Sequence, residues 1–186
     1  MTPKAVKYML IAIFTCQNMS YYLSYFFLAD LRGNVFVNGI VFGCAEITSS
    51  FVSGYMMQHM KEDVAFRVCA VIAALSTAGL PYVSGGDMMS YFVLFATMIG
   101  IGGMQNCAYL IVEMQTAPEE VGKVMQLVYV IAVIFSSAVS LMAALPDPLP
   151  ILLCGGFAVL AFVLTKFLPE GGQLLPNAVQ VNESLT

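Results

Sequence analysis

Charge is what this sequence has least of. Only 10% of its 186 residues are Asp, Glu, Lys or Arg, against about a quarter in a soluble domain. With 60% hydrophobic residues and a mean hydropathy of +0.86, that depletion excludes an ordinary water-soluble fold and points to a polytopic membrane protein. There is no basic patch, the net charge being −4, so nucleic-acid binding is disfavoured. Cys16, Cys44, Cys69, Cys107 and Cys154 fall singly in different apolar stretches. With no CxxC or His-partnered spacing, they read as small buried apolar residues, and no metal site is expected. No nucleophile–base pair or nucleotide loop stands out, so neither enzyme activity nor a cofactor is expected.

What the chain does have is long apolar runs. A hydrocarbon core about 30 Å thick takes about 20 residues of helix, and six such spans can be drawn, at about 8–29, 35–57, 64–83, 90–112, 124–145 and 150–168. The fold class is therefore all-α, with one six-helix transmembrane domain over 1–168 and a polar tail over 169–186. Thr2-Pro3 reads as a helix start. The first run is too long, and lacks the small-x-small site, for a cleaved signal peptide. Arg67, near the start of the third span, can snorkel back to the surface. Pro118 is expected to open a helix, with Glu119 four residues before Lys123 for an ion pair. Six spans put both termini on one side. Lys4, Lys7, Lys61, Arg67, Lys123 and Lys166 then share that side while Arg32 alone lies opposite, so the positive-inside rule puts the termini on the cytoplasmic or matrix-equivalent face. That leaves the Asn182-Glu183-Ser184 sequon unglycosylated.

The stretch from Gly33 to Met57 is the most informative. Gly39, Gly43, Ser50 and Gly54 recur at helical spacing, forming a small-residue face on which another helix can come close, and Glu46 belongs to that face. A carboxylate within a span is a functional-site candidate by default. The alternative is a hydrogen-bonded or protonated structural Glu that locks two helices. In the first span Tyr21, Tyr22, Tyr25 and Phe26 cluster, either lining a pocket or packing as an aromatic stripe. In the fourth, Gly100, Gly102 and Gly103 suggest helix packing rather than a phosphate cradle. The adjacent Gln105 and Asn106 need polar partners at mid-depth. His59, at a membrane boundary, reads as an interfacial residue.

Several segments resemble, in the right order, the C-terminal half of organic cation/anion transporters of the major facilitator superfamily. Gly33-Asn34-Val35-Phe36-Val37-Asn38 is similar to the G-N-I-Y-L-N that opens the family's eighth helix, and Ala45-Glu46-Ile47 to its V-E-I. Tyr109-Leu110 followed by Glu113 resembles Y-L-Y-T-A-E at the end of helix ten. Phe167-Leu168-Pro169-Glu170, then Gly172 and Leu175-Pro176, resembles F-L-P-E-T-x-G-x-P-L-P after helix twelve. The resemblance implies half of a major-facilitator fold, with Glu46, Gln105, Asn106, Tyr21 and Tyr25 facing a substrate cavity and Glu113, Pro118 and Lys123 in the inner loop after helix ten. The departures are specific. Lys61-Glu62-Asp63 with a displaced Arg67 stands where the family has D-R-x-G-R-R, and the span over 124–145 carries no charged residue where the family's eleventh helix often has one. One six-helix half also encloses no pathway, because substrate in this fold lies between two halves. The expectation is a degenerate half-transporter retained as an accessory subunit among other transmembrane subunits of a larger complex, a mitochondrial inner-membrane respiratory assembly being one host. The alternative is a functional half completed by a second six-helix half and moving a small organic solute.

Overall fold

The computed structural model describes residues 3–30, 34–83 and 87–169. Thr2, Arg32, the expected turns at 31–33 and 84–86, and the family-like residues and sequon from 170 onward lie outside the described residues.

Every regular element among the described residues is helical. They are α1 (Pro3–Asp30), α2 (Val35–His59), α3 (Glu62–Gly79) with a 3₁₀ turn at Leu80–Tyr82, α4 (Met88–Met114), α5 (Val121–Ser136), α6 (Val139–Ala143) and α7 (Leu149–Thr165). Four segments are long and apolar enough to cross a membrane: Val35–His59, Glu62–Tyr82, Met88–Met114 and Val121–Ala143; Leu149–Thr165 is apolar but shorter. Pro3–Asp30 has the length but is more polar, because it carries Gln17, Asn18, Ser20 and Ser24, all buried against its neighbours.

Local chemistry sets the ends. Asn34 caps α2 by accepting the Phe36 N–H at 2.9 Å, and Pro3 occupies the first position of α1, where its missing N–H has no cost. The run expected over 124–145 is divided, α5 ending at Ser136 and α6 restarting at Val139. Ser137 Oγ donates to Ile134 O at 2.6 Å and Ser140 Oγ to Ser137 O at 3.1 Å. Such hydroxyl bonds compete with the helical ladder and bend it. Pro118 does not open a helix; residues 118–120 form a turn and α5 begins at Val121.

α1 lies centrally, packed on α4, α5 and α7, while α3 packs on α4 and α7 and α2 mainly on α4. The contacts fix directions. Gly100 and Gly103 of α4 approach Ala73 and Cys69 of α3, so residue numbers run oppositely and the pair is antiparallel. Gly102 and Asn106 of α4 meet Ser49 and Ser53 of α2 in the same order, so that pair is parallel. α1 and α7 lock reciprocally: Ser20 Oγ donates to Cys154 O at 2.9 Å and the Cys154 thiol to Ser20 O at 3.4 Å.

Two polar contacts gather three chain segments at one end of the bundle. Lys7 Nζ pairs with Glu120 Oε2 at 2.7 Å, and Gln115 Nε2 donates to Pro169 O at 3.3 Å. The start of α1, the α4–α5 connection and the end of α7 are thus neighbours. The ion pair expected between Glu119 and Lys123 does not form; Lys7 of α1 takes Glu120 instead, since the connection here is a turn and not a helix on which residues four apart would stack.

Candidate functional site

Glu46 lies near the centre of α2, about 17 Å of helix from Val35 and about 20 Å from His59 at 1.5 Å per residue. α1 runs past it in the opposite direction and supplies two phenols. Tyr21 donates its hydroxyl to Glu46 Oε1. Tyr25 lies 3.2 Å from Oε1 and 3.3 Å from Oε2, and the two hydroxyls are 2.8 Å apart. Spacing of four residues stacks Tyr21 and Tyr25 on one face of α1, with ring centroids 5.0 Å apart and edge to face. Phe42, one turn before Glu46, seats the Tyr25 ring at 4.5 Å.

The carboxylate continues into a polar ridge along α2. Ser49 Oγ donates to Glu46 O at 2.7 Å. One turn further, Asn106 Nδ2 of α4 donates to Ser53 Oγ at 2.9 Å, with Ser50 Oγ at 3.5 Å. Gly102 makes this α2–α4 approach possible: a Cβ there would fall 2.4 Å from Ser49 Oγ.

Not every residue singled out in the sequence joins this cluster. Gln105 is half-buried, and its Oε1 is buried without a hydrogen-bond partner, as is Gln17 Nε2 on α1. Gly100 and Gly103 are close-approach positions, their Cβ atoms falling 2.5 Å from Ala73 N and 2.6 Å from Cys69 Sγ. Gly39, Gly43 and Gly54 are different: a Cβ at any of them meets nothing within 4 Å. Together with exposed Ser50 they leave the flank of α2 beside Glu46 open within this chain. Glu113, Pro118 and Lys123 are all exposed in or beside the α4–α5 connection.

Side chains outside this cluster have contacts of their own. Tyr109 of α4 packs edge-on to Phe14 at 5.0 Å. Cys69 of α3 is seated against Gly103 of α4, and Cys107 is buried one turn further along α4. His59 is held locally, Nδ1 lying 2.9 Å from Tyr55 O and its ring 4.3 Å from that of Tyr55. Arg67 reaches one turn back to Asp63, pairing with its carboxylate and donating Nε to its carbonyl at 3.0 Å.

The electrostatics of the site are one-sided. Lys4, Lys7, Lys61, Arg67, Lys123 and Lys166 all sit near helix ends or in connections, so no cation of the described residues reaches the middle of α2. Among the described residues the Glu46 carboxyl group receives only the two phenol donors, and it remains half-buried, with Tyr25 40% exposed beside it. Among the described residues no three His, Cys, Asp or Glu side chains converge as metal ligands would. The arrangement can bind by hydrogen bonding. No protein-family model matches the chain, and no curated protein matches it in sequence.

Proposed function

We propose that this chain is a six-span integral-membrane subunit whose α1–α2 polar face is covered by another membrane protein in a larger assembly. One observation carries the reading: a carboxylate and its two phenols lie mid-way along an apolar helix, half-open on a flank where Gly39, Gly43 and Gly54 meet nothing. Leaving an acidic group against hydrocarbon costs on the order of 3 kcal/mol. The adjacent glycines would let a partner backbone approach closely enough to remove that cost. The even number of passes is supported by the Lys7–Glu120 and Gln115–Pro169 contacts, which gather the start of α1 and the segment after α7 at one end of the bundle. By the positive-inside rule, that end faces the cytoplasm or matrix.

The runner-up is a half-transporter of the major facilitator type completed by a second six-helix half, with a small organic solute between them. It is favoured by the placement of Tyr21, Tyr25, Glu46 and Asn106, which line an outward face rather than a sealed core. The accessory reading is preferred because α5, which would be the charge-selecting helix, carries no acidic residue and only Lys123, at its start. The respiratory assembly of the mitochondrial inner membrane is the host we favour.

Gentle detergent extraction followed by native sizing and identification of co-migrating chains tests the choice. A defined large complex with stoichiometric copies supports the subunit. Migration alone, or with one six-helix chain, would overturn it in favour of transport.

A further inference from the structure

α2 packs mainly on α4, and most of its surface meets no other part of the described chain. Glu46 stands at the border of that open surface. At about 100° per residue, Gly39, Gly43 and Gly54 lie within about 80° of it on one side, with nothing against them. The buried Phe42, Ser49 and Ser53, turned toward α1 and α4, lie on the other. Beyond the glycines come Ile40, Ile47 and Phe51, all exposed. The surface therefore has a shallow floor, an apolar wall on one side and a carboxyl group on the other. Lipid chains would suit the floor and the wall, but they bring no donor to Glu46 at this depth.

The carboxyl group specifies the complement. As a carboxylate it is acceptor-only, with two oxygens to fill. Tyr21 and Tyr25 both donate to Oε1, whereas among the described residues Oε2 has one long contact, 3.3 Å from Tyr25. Neither phenol supplies charge. The seven Lys and Arg of the chain are at positions 4, 7, 32, 61, 67, 123 and 166, so a second copy would bring no cation to mid-helix either. An arginine fork binds both oxygens of a carboxylate at once, and here Oε1 already holds two donors. A lysine ammonium is a compact point charge that needs only Oε2.

We infer that the open flank of α2 receives a transmembrane helix of a different polypeptide, whose lysine pairs with Glu46 Oε2. This rests on the reading that another membrane protein covers α2, and it adds that partner's chemistry. The glycines let the partner backbone come close, and the lysine stem can lie along the apolar wall with its ammonium at the carboxylate. Each charge alone is costly within the hydrocarbon, so pairing favours the two chains together over either one apart.

The test uses the full chain in native membranes. A lipid-soluble carbodiimide activates carboxyl groups, and an amine in contact then displaces the urea to leave an amide link, which digestion and mass spectrometry locate. The expected product joins Glu46 to a lysine within an apolar segment of a second polypeptide and is absent from Glu46→Gln. On native sizing, Glu46→Gln should lower the share of the chain in the assembly by about tenfold or more, because the lysine is left buried and unpaired. Gly43→Ile keeps the carboxylate but fills the floor, and should lower that share as well. Glu46 recovered unlinked, as the free acid or the N-acylurea, in an assembly that survives Glu46→Gln but not Gly43→Ile, would overturn the lysine and leave the covered flank standing. A link to a second copy of this chain would overturn the choice of a different polypeptide. Migration of the unmodified chain alone would remove the covered flank itself, and the lysine with it.

Discussion

Substituting Gly100 by Ala puts a methyl group where α3 and α4 nearly touch. The new carbon would fall 2.5 Å from Ala73 N, 2.8 Å from its Cα and 2.9 Å from its Cβ. Two of these are backbone atoms, so no side chain can rotate away and the helices themselves must separate. Overpacking of that kind costs about 3 kcal/mol, which in a chain of this size lowers the melting temperature by about 6–12 °C. Gly102 is a graded comparison. There the obstructing atom is Ser49 Oγ at 2.4 Å, a hydroxyl that can swing aside by giving up its 2.7 Å bond to Glu46 O. The cost of Gly102→Ala should be smaller, about 1 kcal/mol. Gly43→Ala, with open space around it, should move stability by less than about 0.5 kcal/mol in the isolated chain. Melting of the three purified variants in one detergent checks the order. If Gly100→Ala melted with Gly43→Ala, the α3–α4 contact described above would be wrong.

Other perturbations probe the polar groups. Tyr21→Phe and Tyr25→Phe should each cost about 1 kcal/mol of stability, and the double variant should depart from additivity because the hydroxyls share one carboxylate; a thermodynamic cycle reads the coupling. Asn106→Ala removes the bond to Ser53 and should cost about 0.6 kcal/mol, typical of such bonds between membrane helices, measurable as a small melting shift. Lys7 donates to Glu120 and holds that carboxyl below its ordinary value of 4.5. A depressed carboxyl contributes stability present above the unfolded value and lost as pH falls through the folded one. Acidification below pH 4.5 should therefore loosen the joint between α1 and the α4–α5 connection, and Glu120→Gln should remove that pH dependence when protease sensitivity of the connection is followed.

The helical segments were legible because an apolar run of the right length admits few structures in a bilayer. The Glu46 site was also legible in part. A carboxylate in such a run must find donors, and spacing of four residues placed Tyr21 and Tyr25 together. What the sequence could not tell was which faces meet protein. Lipid is as apolar as a helix interface, so hydrophobic periodicity does not separate them, and Gly39, Gly43 and Gly54 look the same on paper as Gly100, Gly102 and Gly103. Only the second group is pressed against neighbours. The same blindness hid the seating of Cys69 against Gly103, which depends on the register of two antiparallel helices. The division at Ser136–Ser137 was missed because serines are tolerated in membrane helices, and only their hydroxyl geometry marks the bend. Glu119 and Lys123 had helical spacing, but the turn at 118–120 deprived them of the helix that spacing assumes.

The central claim, that protein covers the open flank of α2, is tested most directly by single cysteines at Gly43 and Ser50 in a Cys44→Ser background, labelled in intact native membranes. One maleimide is confined to water and the other is carried in the lipid. The account predicts that both sites resist both reagents until the assembly is dissociated with detergent, after which both react. Labelling by the lipid-borne reagent in the intact membrane would contradict it, and labelling by the aqueous reagent alone would favour a solute cavity in its place.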